Sequence, residues 1–311
     1  MAALTRHSTS AAPNYCRDLN WLIRGWSCLT LVLVSAGAVT VGERAGLSIP
    51  DWPLAYGRLV PPFVGGIRFE YTHRVIATLV GLLSIVIAVW LQRSERRRWV
   101  RWLGWCAVLG VLLQGVLGGL TVLLRQPDWL TALHATVAQL FFELTVALAV
   151  FTSRGWLSYI AMGDVQGLGE LYGWSVATTI AIFAQILLGA AYRHDALSIL
   201  PHMWGAVVVT LLAIVAAAKA LNLAGERPQL RAPALLLLLV LAGQAVLGIW
   251  SYKEILATQM AAQPPLRRIE LTTLHVVGGS LLAAVALWLT LRSWQASAQS
   301  LSAAIAEAQQ A

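Results

Sequence analysis

Eight apolar runs, each about long enough at roughly 20 residues to cross a ~30 Å hydrocarbon core, recur at 22–42, 70–92, 102–123, 130–152, 172–192, 199–221, 232–252 and 270–292. Backbone polar groups inside lipid have to be bonded within their own segment, so each run reads as a helix. The expected fold is an all-α membrane protein with eight transmembrane helices. Apolar residues make up 58% of the 311 and charged residues 12%, more apolar side chains than one soluble core would use. For the first run the alternative is a cleaved secretory signal, with Ser35-Ala36-Gly37-Ala38 as small residues for a peptidase. Its polar lead-in is long for a signal, which favours a retained helix.

Sidedness follows from Lys and Arg, which concentrate on the cytoplasmic side of membrane proteins. With the N-terminus cytoplasmic, inner segments hold Arg6, Arg17, Arg24, Arg93, Arg96, Arg97, Arg98, Arg101, Arg154, Lys219, Arg227, Arg231 and Arg292, thirteen of the 22 basic residues. Those on the outer side are balanced by seven acids. Both termini are therefore expected in the cytoplasm, with the chain in a bacterial-type cell inner membrane and in contact with lipid. Topology accounts for the net charge of +8, and nothing calls for nucleic acid. Many of the 14 tryptophans, such as Trp99 and Trp102, sit at span boundaries as interfacial anchors. Cys16, Cys28 and Cys106 have no paired spacing, which argues against a disulfide or a zinc site.

The chain also repeats itself. Span four begins LTALH (130–134) and span eight LTTLH (271–275); span three ends QGVLG (114–118), span seven QAVLG (244–248) and span five QILLG (185–189). Three pairs with seven and four with eight, giving two four-helix bundles in parallel repeat. The expected boundaries are a cytoplasmic segment 1–21, an N-terminal bundle 22–152, a cytoplasmic linker 153–171 rich in glycine, a C-terminal bundle 172–292, and a cytoplasmic tail 293–311 that is a frayed helix or disordered. Under this repeat His73 matches His202 and His134 matches His275, all four near the outer ends of even-numbered spans. The remaining histidines, His7 and His194, lie outside the spans.

One histidine near a helix end is ordinary; four in register ask for a shared partner, because ionisable groups at membrane depth are costly unless they face a bundle interior. Two imidazoles per half suit one haem iron per half, held between helices. Zinc or copper competes, but each half lacks the extra Cys, Met or carboxylate that a compact site would use. Ala132, Ala135, Gly205, Ala206, Gly278 and Gly279 lie within a turn or so of the histidines. They either make room for a macrocycle or serve close helix packing.

The halves differ at one place. Glu70 precedes His73 by three residues and shares its helix face, whereas Ile199 holds the equivalent position before His202. A carboxylate at an apolar pocket suits acid–base work; otherwise Glu70 caps its helix or pairs with Arg68 or Arg74. Arg74 could meet a haem propionate or form an interfacial salt bridge. Glu143, in mid-span, is either a proton relay or a neutral buried carboxyl.

Taken together, Glu70-Tyr71-Thr72-His73-Arg74, the outer-loop string GLSIPDWPLAYG (46–57) and the histidines opening spans four, six and eight resemble the haem A synthase family, over about residues 22–292. The resemblance implies a haem b held by His202 and His275, a haem O substrate received by His73 and His134, and Glu70 as the catalytic carboxylate. It implies an oxidoreductase that converts a ring methyl of haem O to a formyl group by successive hydroxylation, producing haem A for terminal oxidases. An electron-transfer partner would then be needed, and haem O synthase or oxidase assembly factors are conceivable partners. Many bacterial members carry two cysteines in the first outer loop; Ile49 and Ala55 stand at those positions here. Competing readings are a di-haem b-type membrane cytochrome that only transfers electrons, and a repeat-built transporter with histidines along a proton path.

Overall fold

The computed structural model describes residues 15–159 and 165–308. Residues 1–14 of the N-terminal segment, including His7, residues 160–164 of the linker, including Gly163, and residues 309–311 of the tail lie outside them. Eight long helices have the length and apolarity to cross a membrane, and the described residues contain no strand. The protein is a multi-pass membrane protein.

The helices are α1 (Arg17–Gly42), α2 (Ile67–Ser94), α3 (Arg98–Leu123), α4 (Asp128–Phe151), a short α5 (Arg154–Leu157), α6 (Leu168–Arg193), α7 (Ile199–Asn222), α8 (Arg231–Ala257) and α9 (Leu266–Ala308), with a 3-10 turn at Pro228–Leu230 before α8. Each expected span lies within, or within a residue of, a long helix. The helices overrun the apolar runs because adding a turn to an existing helix fixes few new dihedrals, so polar first turns such as Arg17-Asp18 are included. The tail is the largest difference in length: α9 continues to Ala308. Part of the linker also forms structure, with the Ser153 hydroxyl accepting from Trp156 N–H to start α5. Sharp reversals use unusual backbone: Arg125 and Gln126 take positive φ values of 58° and 57° between α3 and α4, and Pro127 then precedes the first helical residue, Asp128.

Within the first four long helices, α1 packs on α2 and α4, and α3 on α2 and α4; in the last four, α6 packs on α7 and α9, and α8 on α7 and α9. Across the middle α1 meets α9, and α4 meets α6 and α9. Two separate apolar clusters fill these groups. One joins Leu19, Ile23, Trp26, Ile87, Leu91, Val100 and Leu148; the other joins Leu171, Ala213, Ala217, Leu230, Leu237, Ala286 and Leu289. Both lie mainly toward the helix ends opposite the four histidines. At that opposite end Trp99, Phe151, Trp156 and Trp294 form a run of ring contacts spaced 4.7–6.0 Å.

Candidate functional site

Each of the four histidines rests against a glycine of the preceding long helix. A Cβ placed on Gly37 of α1 would stand 3.0 Å from His73 Cε1; on Gly118 of α3, 3.2 Å from His134; on Gly189 of α6, 2.9 Å from His202; on Gly248 of α8, 3.0 Å from His275. A side chain there would press on the ring and force it or the helix to give, so glycine lets each imidazole lie close against the preceding helix. Four residues before three of these glycines stands a glutamine. The Gln185 amide donates to the His202 carbonyl at 2.8 Å, and the Gln244 amide to the His275 carbonyl at 3.0 Å. With its amide turned so that nitrogen faces His134, Gln114 donates to the His134 carbonyl at 3.3 Å and to Nδ1 at 3.0 Å. The fourth seat differs, for α1 has Leu33 where the others have glutamine.

Sequence reasoning used the Gln-xxx-Gly strings only to align the halves, and missed that each one seats a histidine. The signal was available, since the strings end their helices at the same end where the histidines begin the next. The structure also clarifies two nearby small residues: a side chain on Gly205 would meet the Gln185 amide, and one on Gly278 the Gln244 amide. These glycines make room for glutamines.

The two histidine pairs differ in the contacts their rings make. The His202 and His275 rings lie 6.2 Å apart between centroids, at an interplanar angle of 84°. Two metal–imidazole bonds of about 2 Å each, plus the ring halves, require centroids about 6 Å apart, so this pair fits a bis-imidazole iron. His202 Nδ1 meets the Gln185 backbone carbonyl at 3.2 Å, the kind of hydrogen bond that orients a ligating imidazole, and its Nε2 has only a long contact with the Gln185 amide nitrogen at 3.4 Å. His275 Nδ1 has no hydrogen-bond partner among the described residues, although the Gln244 carbonyl approaches it. His73 and His134 are near enough to interact electrostatically but make no ring contact among the described residues. His73 Nδ1 is likewise unpartnered, with the Leu33 carbonyl approaching too loosely to count as a bond. No set of three His, Cys, Asp or Glu converges among the described residues, so each pair offers two ligands.

Glu70 lies one turn before His73 and is only 4% exposed. Its Oε1 receives Arg74 Nη2 at 2.6 Å, and its Oε2 accepts the Ile49 N–H at 2.8 Å. The same guanidinium donates to the carbonyls of Asp51 at 2.9 Å and Leu54 at 3.0 Å. Arg74 is thus committed to a salt bridge and to the loop between α1 and α2. That loop turns back on itself where the Asp51 carboxylate accepts from Tyr56 N–H at 2.6 Å and Gly57 N–H at 2.7 Å. The Gly57 N–H foremost, with Tyr56 and the Arg74 charge, holds this carboxyl below the usual carboxylate range. The Trp52 indole sits on Gly119, the residue next to the glycine that seats His134. Ile49 and Ala55 are both buried. The loop therefore packs down beside the first pair, with Glu70 and Arg74 as its fastening.

Glu143 is 3% exposed, and neither of its oxygens has a hydrogen-bond partner among the described residues. One turn away, Gln139 accepts the Ser280 hydroxyl at 2.7 Å and so joins α4 to α9.

Comparison with known proteins bears on this arrangement. Residues 67–208 match the family described as COX15-CtaA, cytochrome oxidase assembly protein; the match takes in His73, His134 and His202. The chain is similar to the heme A synthase of an Exiguobacterium species, 30% identical over 169 residues, 53% of this chain and 54% of the relative. It is 33% identical to that of Symbiobacterium thermophilum over 163 residues, 49% and 50% of the two chains. With that of Lysinibacillus sphaericus it shares 26% over 192 residues, 60% and 62%. The matched stretch thus spans between half and two thirds of each of these relatives.

Proposed function

We propose that this chain, whose residues 67–208 match the COX15-CtaA family of cytochrome oxidase assembly proteins, is a haem A synthase. In this reading it oxidises a ring methyl of haem O to a formyl group by successive hydroxylation with loss of water. The observation that carries the reading is the unequal pairing: two glycine-seated histidine pairs at one end of the bundle, of which only the first has a buried carboxylate, Glu70, one turn away. The relatives named heme A synthase support it.

His202 and His275, closely spaced and backed by Gln185 and Gln244, would hold a resident haem b. His73 and His134, beside the loop fastened by Glu70 and Arg74, would receive haem O. Haem b bound at the second pair supplies one-electron redox chemistry. The protein's own residues do the rest. The glycine seats fix the ring positions, and the loop bearing Trp52 covers the first pair and keeps water from it. Glu70 is the group we assign to proton handling, on the condition that Oε2 leaves the Ile49 N–H when substrate enters. Both termini would face the cytoplasm, with the histidine ends outside. An electron-transfer partner, and delivery or collection of haem by haem O synthase or oxidase assembly factors, belong to the same proposal.

Pigment extraction tests the assignment. Purified protein should yield haem B together with haem O or haem A on chromatography. Haem B alone at both sites would make the protein an electron-transfer cytochrome instead.

A further inference from the structure

Arg193, the last residue of α6, stands between the two histidine pairs. Its Nη2 donates to the carbonyl of Ala38 at 2.8 Å, and Ala38 adjoins Gly37, the seat of His73. Its Nη1 reaches the carbonyl of Thr272 at 3.5 Å, three residues before His275 on α9. It is close enough to His275 to interact with it electrostatically. These two bonds leave the rest of a five-donor fork uncommitted, and no carboxylate lies within ion-pair distance among the described residues. A second guanidinium, that of Arg268, interacts with it repulsively. Arg268 likewise has no acid partner among the described residues, only a weak bond to the Thr258 carbonyl at 3.4 Å.

Two partly buried cations set together without an acid among the described residues form an arrangement that an anion would stabilise and that helix packing does not require. Helix packing alone would be served by a neutral donor. Arg193 bonds beside the seat of His73 and interacts with His275, so an anion carried by a ligand of those imidazoles would meet it.

We propose that Arg193, flanked by Arg268, is a carboxylate-binding subsite that grips a propionate of the tetrapyrrole at the second histidine pair. The inference rests on the proposed haem at His202 and His275. Guanidinium matches carboxylate in bidentate fashion, and Arg74, the other arginine beside a histidine pair, is already taken by Glu70. Because Arg193 also bonds to Ala38, the carbonyl beside the first site, it ties the outer ends of α1 and α9 to the ligand's charged edge.

The test compares haem b with its dimethyl ester, which keeps the ring and the iron and loses the carboxylates. Full-length protein made in haem-deficient cells is loaded in detergent with each pigment, and binding is followed by the Soret band. Wild type should bind the diester about tenfold or more weakly, the range set by losing a charge-assisted hydrogen bond. Arg193→Gln should bind the two pigments alike, and Arg193→Lys should restore part of the preference. Equal binding of both pigments by wild type overturns the subsite, as does an undiminished preference in Arg193→Gln. If Arg193→Gln does not fold, Arg268→Gln is used, and its preference should be reduced. A wild-type protein that takes up neither pigment refutes the haem assignment itself, a different result from equal binding.

Discussion

Arg74 Nη2 lies 2.6 Å from Glu70 Oε1, and the same guanidinium holds the carbonyls of Asp51 and Leu54. One side chain therefore fastens the loop between α1 and α2 to α2 through a buried acid. Removing one partner of a buried pair strands the other charge, which costs about 3–5 kcal/mol. Arg74→Met should free the loop, seen as faster proteolysis or amide exchange across residues 48–58. Glu70→Gln takes the counter-ion from Arg74, but the guanidinium keeps the Asp51 and Leu54 carbonyls and can still donate to the new amide oxygen, so the loop should loosen less. The same variant should leave both pigments bound while haem A formation stops. Normal haem A with Glu70→Gln would remove the carboxylate from the chemistry and leave it a fastening alone.

The glycine seats predict a contrast within α8. Gly248 would press a Cβ to 3.0 Å from His275 Cε1, whereas Gly243, five residues earlier, would meet nothing within 4 Å. Gly248→Ala should shift the imidazole or the helix at an overpacking cost of about 1–3 kcal/mol, lowering haem retention measured by the pyridine haemochrome. Gly243→Ala should bind like wild type and, by helix propensity, be no less stable. Equal retention in both variants would mean that the ring does not depend on its seat.

Much of this arrangement was legible in the sequence, for definite physical reasons. Spans are written in apolar length, and the four histidines stand out because imidazole is rare and costly at membrane depth. What escaped was the role of residues with no distinctive chemistry. Gly37 looks like any small residue in a helix, and only the approach of His73 gives it meaning. Glu70 shows the opposite difficulty. Its spacing from His73 was plain, yet its bond to the Ile49 N–H depends on a loop that returns across 21 residues, and no local pattern encodes that return. Arg193 was counted only as an outer-side charge, since its neighbours Ala38 and Thr272 come from distant helices.

Asp51 gives the loop a pH limit. Its carboxylate accepts two backbone N–H groups, and its folded-state pKa is depressed. Such a group adds stability above its unfolded value of about 3.9, and that stability is lost as pH falls through the lower folded value. The loop should stay closed across neutral and mildly acidic pH and open only below the ordinary carboxylate range. Proteolysis of residues 48–58 by an acid-active protease should show that step. Asp51→Asn keeps one acceptor and cannot titrate, so the loop should be looser at every pH and the step should disappear. An unchanged step in Asp51→Asn would assign it to another acid.

Leu33 occupies on α1 the place that Gln114, Gln185 and Gln244 hold on their helices, so His73 alone lacks an amide on its backbone carbonyl. A glutamine amide on that carbonyl ties the turn that carries the ligand to the preceding helix, and a ligand without one should exchange its guest more readily. That suits a site that has to release product. Pigment at the first pair should therefore wash out in detergent before haem b at the second. Gln244→Leu should narrow the gap by loosening the second site, with altered low-spin electron paramagnetic resonance of the retained haem. Leu33→Gln should narrow it from the other side, slowing exchange at the first site and raising the pigment retained there while turnover falls. If Leu33→Gln exchanged pigment at the wild-type rate, the missing amide would not explain the difference between the two sites.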